Sequence, residues 1–144
     1  MLPHTFLLQP GIWLGEGKVT FTASPDQLQF YTRWEISPPQ AGIIALKQVV
    51  EMKEGDTIHN NYILSGLTEN SFIIELTNDV LGTVIGKGII DENKVAWEFR
   101  AQESFEGYEV YQLQTNGEYI LHAEYASPEQ YRTIIDAHLW PKIV

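Results

Sequence analysis

The sequence contains no cysteine. That absence excludes a disulfide scaffold, a thiolate zinc site, an iron–sulfur cluster and a cysteine nucleophile. Positive charge is scarce as well: 9 Lys and Arg stand against 19 Asp and Glu, for a net charge of −10. Phosphate backbones and anionic lipid surfaces are held by clustered Lys and Arg, so neither nucleic acid nor a membrane is an expected partner. No apolar run approaches the roughly 18 residues of a membrane-crossing helix. The opening residues hold Pro3 and His4 and no basic stretch, so they do not read as a secretory signal. No Asn-x-Ser/Thr acceptor occurs, and the expected location is the cytoplasm. A Gly-x-Ser-x-Gly elbow, a Walker loop and a dinucleotide fingerprint are missing too. The stretch from Gly82 to Gly88 has a phosphate loop's composition but not its spacing, and its glycines alternate as in a strand.

What remains is a chain of 144 residues, 44% hydrophobic, enough for one domain spanning 1–144 with a core of its own. Its dominant pattern is period-two alternation broken by turn residues, the mark of half-buried antiparallel strands. Residues 27–36 are the clearest case: Leu28, Phe30, Thr32, Trp34 and Ile36 share one face, and Gln29, Tyr31, Arg33 and Glu35 the other. Strands are expected over 13–22, 27–36, 43–52, 57–65, 71–77, 81–90, 94–101, 108–114 and 118–126. Asn116-Gly117 reads as a type I′ hairpin turn. Strands joined by short turns, with no helix between them, form a meander, and closure into a barrel removes its exposed edges.

The tail changes period. Ser127-Pro128-Glu129-Gln130 reads as a helix cap, and Tyr131, Ile134, Ile135, His138 and Leu139 follow at helical spacing. The expected architecture is therefore an all-β, antiparallel up-and-down barrel of eight to ten strands. An amphipathic C-terminal helix over about 128–139 packs on its wall or covers one mouth.

Hydrophobicity assigns an interior of Trp13, Val19, Phe21, Leu28, Phe30, Trp34, Leu46, Val50, Ile58, Tyr62, Phe72, Ile74, Val84, Ile90, Trp97, Phe99, Tyr119 and Leu121. Residues 108–114 fit two parities, one burying Tyr108, Val110 and Gln112, the other Glu109, Tyr111 and Leu113. Gly15, Gly17, Gly86 and Gly88 fall on inward parities, where glycine bends a strand, permits close packing or leaves space. None of the cations takes an inward parity, and the interior polar groups Thr32, Gln48, Asn60, Tyr62 and Tyr119 are neutral. A buried anion needs a cationic partner, so a molecule held inside is expected to be neutral and largely apolar or aromatic.

Gly11-Ile12-Trp13 ahead of the first strand resembles the Gly-x-Trp opening of lipocalin and calycin barrels. The resemblance implies a ligand-binding barrel of that type. The longer opening, Trp13-x-Gly15-x-Gly17, is similar to that of nitrobindin-type haem barrels. In those a histidine late in the last strand binds iron, and His122 stands at a comparable place, although its parity is outward.

The expected function is binding of a small apolar or aromatic molecule without catalysis. Aromatic residues number seventeen; Trp34, Tyr62, Trp97, Tyr119 and Phe30, with the amides Gln48 and Asn60, are the candidate ligand contacts. The alternatives are a barrel isomerase or lyase working by proton transfer and a homodimeric interaction domain. Glu109, acid or base if buried, and His122 are the catalytic candidates for the first. Outward Ile43, Val49 and Ile63 suggest the second. Haem is a lesser alternative, and no other cofactor is expected. His122 and Glu124 share a strand face but find no third ligand, so no metal site is expected.

Overall fold

The computed structural model describes residues 4–102, 105–126 and 132–143. Ten strands follow in order: β1 (Gly11–Phe21), β2 (Ser24–Ile36), β3 (Ile44–Met52), β4 (Thr57–Ser65), β5 (Ser71–Asn78), β6 (Gly82–Ile90), β7 (Lys94–Gln102), β8 (Phe105–Leu113), β9 (Tyr119–Ala126) and β10 (Arg132–Pro141). Each pairs antiparallel with its neighbour in sequence, and β10 pairs back onto β1, closing the barrel. Closure gives every strand a paired neighbour on both sides.

The helix expected over 128–139 does not form. Residues 128–131 lie outside the described residues, as does the cap expected at 127–130. From Arg132 onward the chain is β10, paired with β9 on one side and β1 on the other. Two physical reasons favour the strand. Thr133, Ile134 and Ile135 are consecutive β-branched residues, which fit a pleated surface better than a helix. A helix here would also leave the facing backbone groups of β1 and β9 without their ladder. The helical spacing arose because both faces of the strand carry apolar groups: Ile135, Ala137 and Leu139 turn inward, while Ile134 and Trp140 lie outside.

One end of the barrel is filled by residues 4–8. His4, Phe6 and Leu7 are fully buried and Leu8 nearly so. The Phe6 ring packs against Trp13, Trp34, Tyr111 and Tyr119, with centroids 4.8–5.5 Å away. Leu7 adopts φ +76°, a left-handed conformation costly for a bulky side chain, and is held there by its burial in the core. Asp91 on the β6–β7 turn accepts a hydrogen bond from His4 at its backbone carbonyl (2.6 Å), and the Tyr119 hydroxyl meets the other ring nitrogen (2.7 Å).

The inward glycines are spaces already taken. A Cβ on Gly88 would enter the Phe72 ring, and one on Gly86 would meet Phe99 and the Glu98 carbonyl. On β1, a Cβ at Gly15 would lie 2.9 Å from the Thr32 methyl group. A Cβ at Gly17 would meet Ala137 and the Asp136 carbonyl, so close packing explains all four positions.

Candidate functional site

Among the described residues, the other end of the barrel is open. A cavity of about 640 Å³ runs inward from the rim carrying the β1–β2, β3–β4 and β5–β6 turns. Leu28, Met52, Ile58, Leu81 and Phe105 stand near the mouth, and Trp34, Tyr62, Leu121 and Leu139 reach its deeper part. Ile58 is 43% exposed because it lines this mouth rather than the sealed core. Five of the seven candidate contacts come together here: Phe30, Trp34, Gln48, Asn60 and Tyr62. Trp34 and Tyr62 stack with centroids 5.1 Å apart. Trp97 and Tyr119 sit below. Trp97 stacks on Tyr111 at 4.9 Å, and Tyr119 belongs to the seal around Phe6 and His4.

The neutral polar side chains form a chain along one wall. Gln48 Nε2 donates to Thr32 Oγ1 (3.1 Å), Asn60 Nδ2 donates to Gln48 Oε1 (2.9 Å), and Asn78 Nδ2 donates to Asn60 Oδ1 (3.0 Å). Asn78 Oδ1 in turn accepts the backbone N–H groups of Val80 and Leu81. Four adjacent strands are thus tied by side chains inside the barrel, with each amide oriented by the next. Asn78 was not among the candidates; its place at a strand end, in Asn78-Asp79, reads from sequence as a turn residue only.

Glu109 settles the open parity of β8. It is inward, 8% exposed, with Tyr111 and Leu113 on the same face. Its Oε1 accepts the Tyr111 hydroxyl at 2.5 Å and its Oε2 accepts the Tyr125 hydroxyl. Desolvation pushes the Glu109 pKa above the usual carboxylate value, against the pull of the two hydroxyls. Burial and the neighbouring Glu109 push Tyr62, Tyr111 and Tyr125 up as well. Among the described residues the interior is therefore not wholly neutral: it holds the Glu109 carboxyl and no Lys or Arg. All nine Lys and Arg residues lie away from the cavity lining. What this lining disfavours is negative charge.

His122 lies on the outer wall. Its Nδ1 is 2.7 Å from Asp136 and its Nε2 is 3.0 Å from Glu124, which also accepts the Tyr108 hydroxyl at 2.9 Å. These carboxylates raise the His122 pKa, the Asp136 hydrogen bond first. The ring does not reach the cavity and offers no ligand to a haem inside it. Ile43 and Ile63 are exposed on the outer surface, while Val49 is half-buried.

No family model and no curated protein sequence matches the chain. Among solved structures, the S-type phycobiliprotein lyase CPES from Guillardia theta is similar over 94% of this chain and 89% of its own, with a TM-score of 0.70 at 10% sequence identity. The likeness is one of fold. EF1p2_mFAP2b bound to DFHBI is similar over 94% of this chain and 95% of that one, at 13% identity and a TM-score of 0.46. Trp13 of the Gly11-Ile12-Trp13 opening is 3% exposed and packs at the sealed end, 5.4 Å from both Phe6 and Tyr119.

Proposed function

We propose that the barrel binds a small, largely apolar or aromatic molecule that carries no negative charge. The observation that carries this reading is the open cavity of about 640 Å³, faced by stacked aromatic rings and an oriented amide chain. A preformed pocket of this size, apolar with a few placed polar groups, has the ordinary make-up of a small-molecule site. The rings offer flat apolar surface, and the Gln48–Asn60–Asn78 wall offers amides to a ligand's polar edge. Native mass spectrometry of the purified protein tests the proposal. A co-purified small molecule, released on unfolding, supports it. A bare chain that also fails to bind a panel of uncharged aromatic compounds overturns it.

Glu109 favours a second reading, proton-transfer catalysis by an isomerase or lyase. A buried carboxyl with a raised pKa, in contact with the cavity, is suited to taking a proton from a bound molecule and returning it at another atom. Deuterium entering the co-purified molecule from heavy water, and failing to enter in Glu109→Gln, supports this reading. Absence of exchange in the unaltered protein removes it.

A further inference from the structure

Glu109 is a buried acid without a counter-ion. Among the described residues, the ionisable side chains lining the cavity besides Glu109 are Asp56, Tyr62 and Tyr125, and no Lys, Arg or His joins them. The groups facing the carboxyl are hydroxyls and rings. Tyr111 lies two residues along β8, Tyr125 comes from β9, Tyr62 approaches from β4, and Trp97 is its register partner on β7. A carboxylate offers about four acceptor positions, and two hydroxyls leave the others free. Ionising such a group without a cation is costly in a desolvated site. An incoming cation removes that cost and gains a charge-assisted hydrogen bond. The surrounding surface is suited to the same charge, since the faces of Trp34, Tyr62 and Phe30 attract cations electrostatically. The net charge of −10 draws cations toward the molecule and repels anions.

We infer, building on the reading of the cavity as a small-molecule site, that its ligand is a nitrogen base bound in protonated form. The ammonium or amidinium nitrogen sits on Glu109, and the apolar body lies against Trp34 and Tyr62. Any proton held by Glu109 in the empty barrel leaves to solvent as the cation enters. The cation's advantage therefore shrinks as pH falls through the raised pKa of Glu109. The three tyrosines, whose pKa values burial raises, stay protonated across that range.

Calorimetric titration with 1-naphthylmethylamine, 1-naphthylmethanol and 1-naphthylacetate tests the inference, because the three probes share a ring and differ in charge. The expected order at pH 7 is amine first, alcohol weaker by about tenfold, and acetate weakest. Glu109→Gln is expected to bring the amine down to the alcohol while leaving the alcohol within about threefold of its original affinity. Asp56→Asn is expected to keep the order. Equal binding of amine and alcohol by the unaltered protein overturns the inference and leaves the cavity reading standing. So does a preference for the amine that survives in Glu109→Gln. Failure of all three probes to bind overturns both.

Discussion

Gly107 and Tyr125 stand opposite each other on β8 and β9, and the ring of Tyr125 fills the place a side chain at Gly107 would need. That placement carries the Tyr125 hydroxyl to Glu109 and stacks the ring on Phe105 with centroids 5.1 Å apart. Gly107→Ala is expected to displace the ring, at a cost of about 1–3 kcal/mol from overpacking. Urea unfolding measures the loss. A variant as stable as the parent shows that the ring is not confined.

The pH dependence of stability follows from Glu109. Unfolded, this carboxyl titrates near the usual value of 4.5; folded, burial holds its pKa higher. Between those two values the folded chain keeps a proton that the unfolded chain has lost. Stability therefore falls as pH rises through the window and levels off above the folded value. The slope is at most about 1.4 kcal/mol per pH unit. Glu109→Gln is expected to remove this component, so variant and parent converge at low pH and the variant is the more stable at neutral pH. Melting curves across the acid range check the sign.

The seal depends on His4. The Asp91 carbonyl only accepts, so Nε2–H donates to it, and in the neutral ring Nδ1 accepts from the Tyr119 hydroxyl. Burial pushes the Tyr119 pKa up to about 12, against a downward pull from the backbone of Phe6 and Thr5. His4→Ala removes a partner from both groups and leaves a void beside Phe6. The expected cost is about 3 kcal/mol, read by chemical unfolding. The tyrosine titration followed by ultraviolet absorbance should lose its component near 12 if the seal opens.

Gln48 is the centre of the amide chain, touching Thr32, Asn60 and Tyr62. Gln48→Leu is expected to cost about 1–3 kcal/mol through the partners it leaves unpaired. Gln48→Glu adds another acid to the cavity and should weaken anionic probes further. A Gln48→Leu variant with unchanged stability indicates that water replaces the amide without cost.

The meander was legible because strand alternation is strong, as in Leu28–Phe30–Thr32–Trp34, where each inward residue is a large apolar group or a threonine paired to Gln48. Two failures have a common origin in local ambiguity. A two-residue Asn116-Gly117 turn would set Gln112 opposite Leu121. The actual turn spans 115–117, with Gly117 at φ +86°, and sets Tyr111 there instead. One residue of turn length reverses a strand's faces, and with it the placement of Glu109. The tail failed because its apolar residues lie on both faces, a pattern that period alone assigns equally to helix and strand. Only the pairing demand of β1 and β9 decides it. The segment around Phe6 gave no periodic signal, since its burial comes from contacts far along the chain.

His4 is held by residues 87 and 115 positions further on. The base of the cup is therefore held by the β6–β7 turn and β9. Among the described residues, the way out of the cavity runs past Leu28, Ile58 and Leu81, so changes at that lip should alter how long a molecule stays more than how tightly the deeper rings grip it.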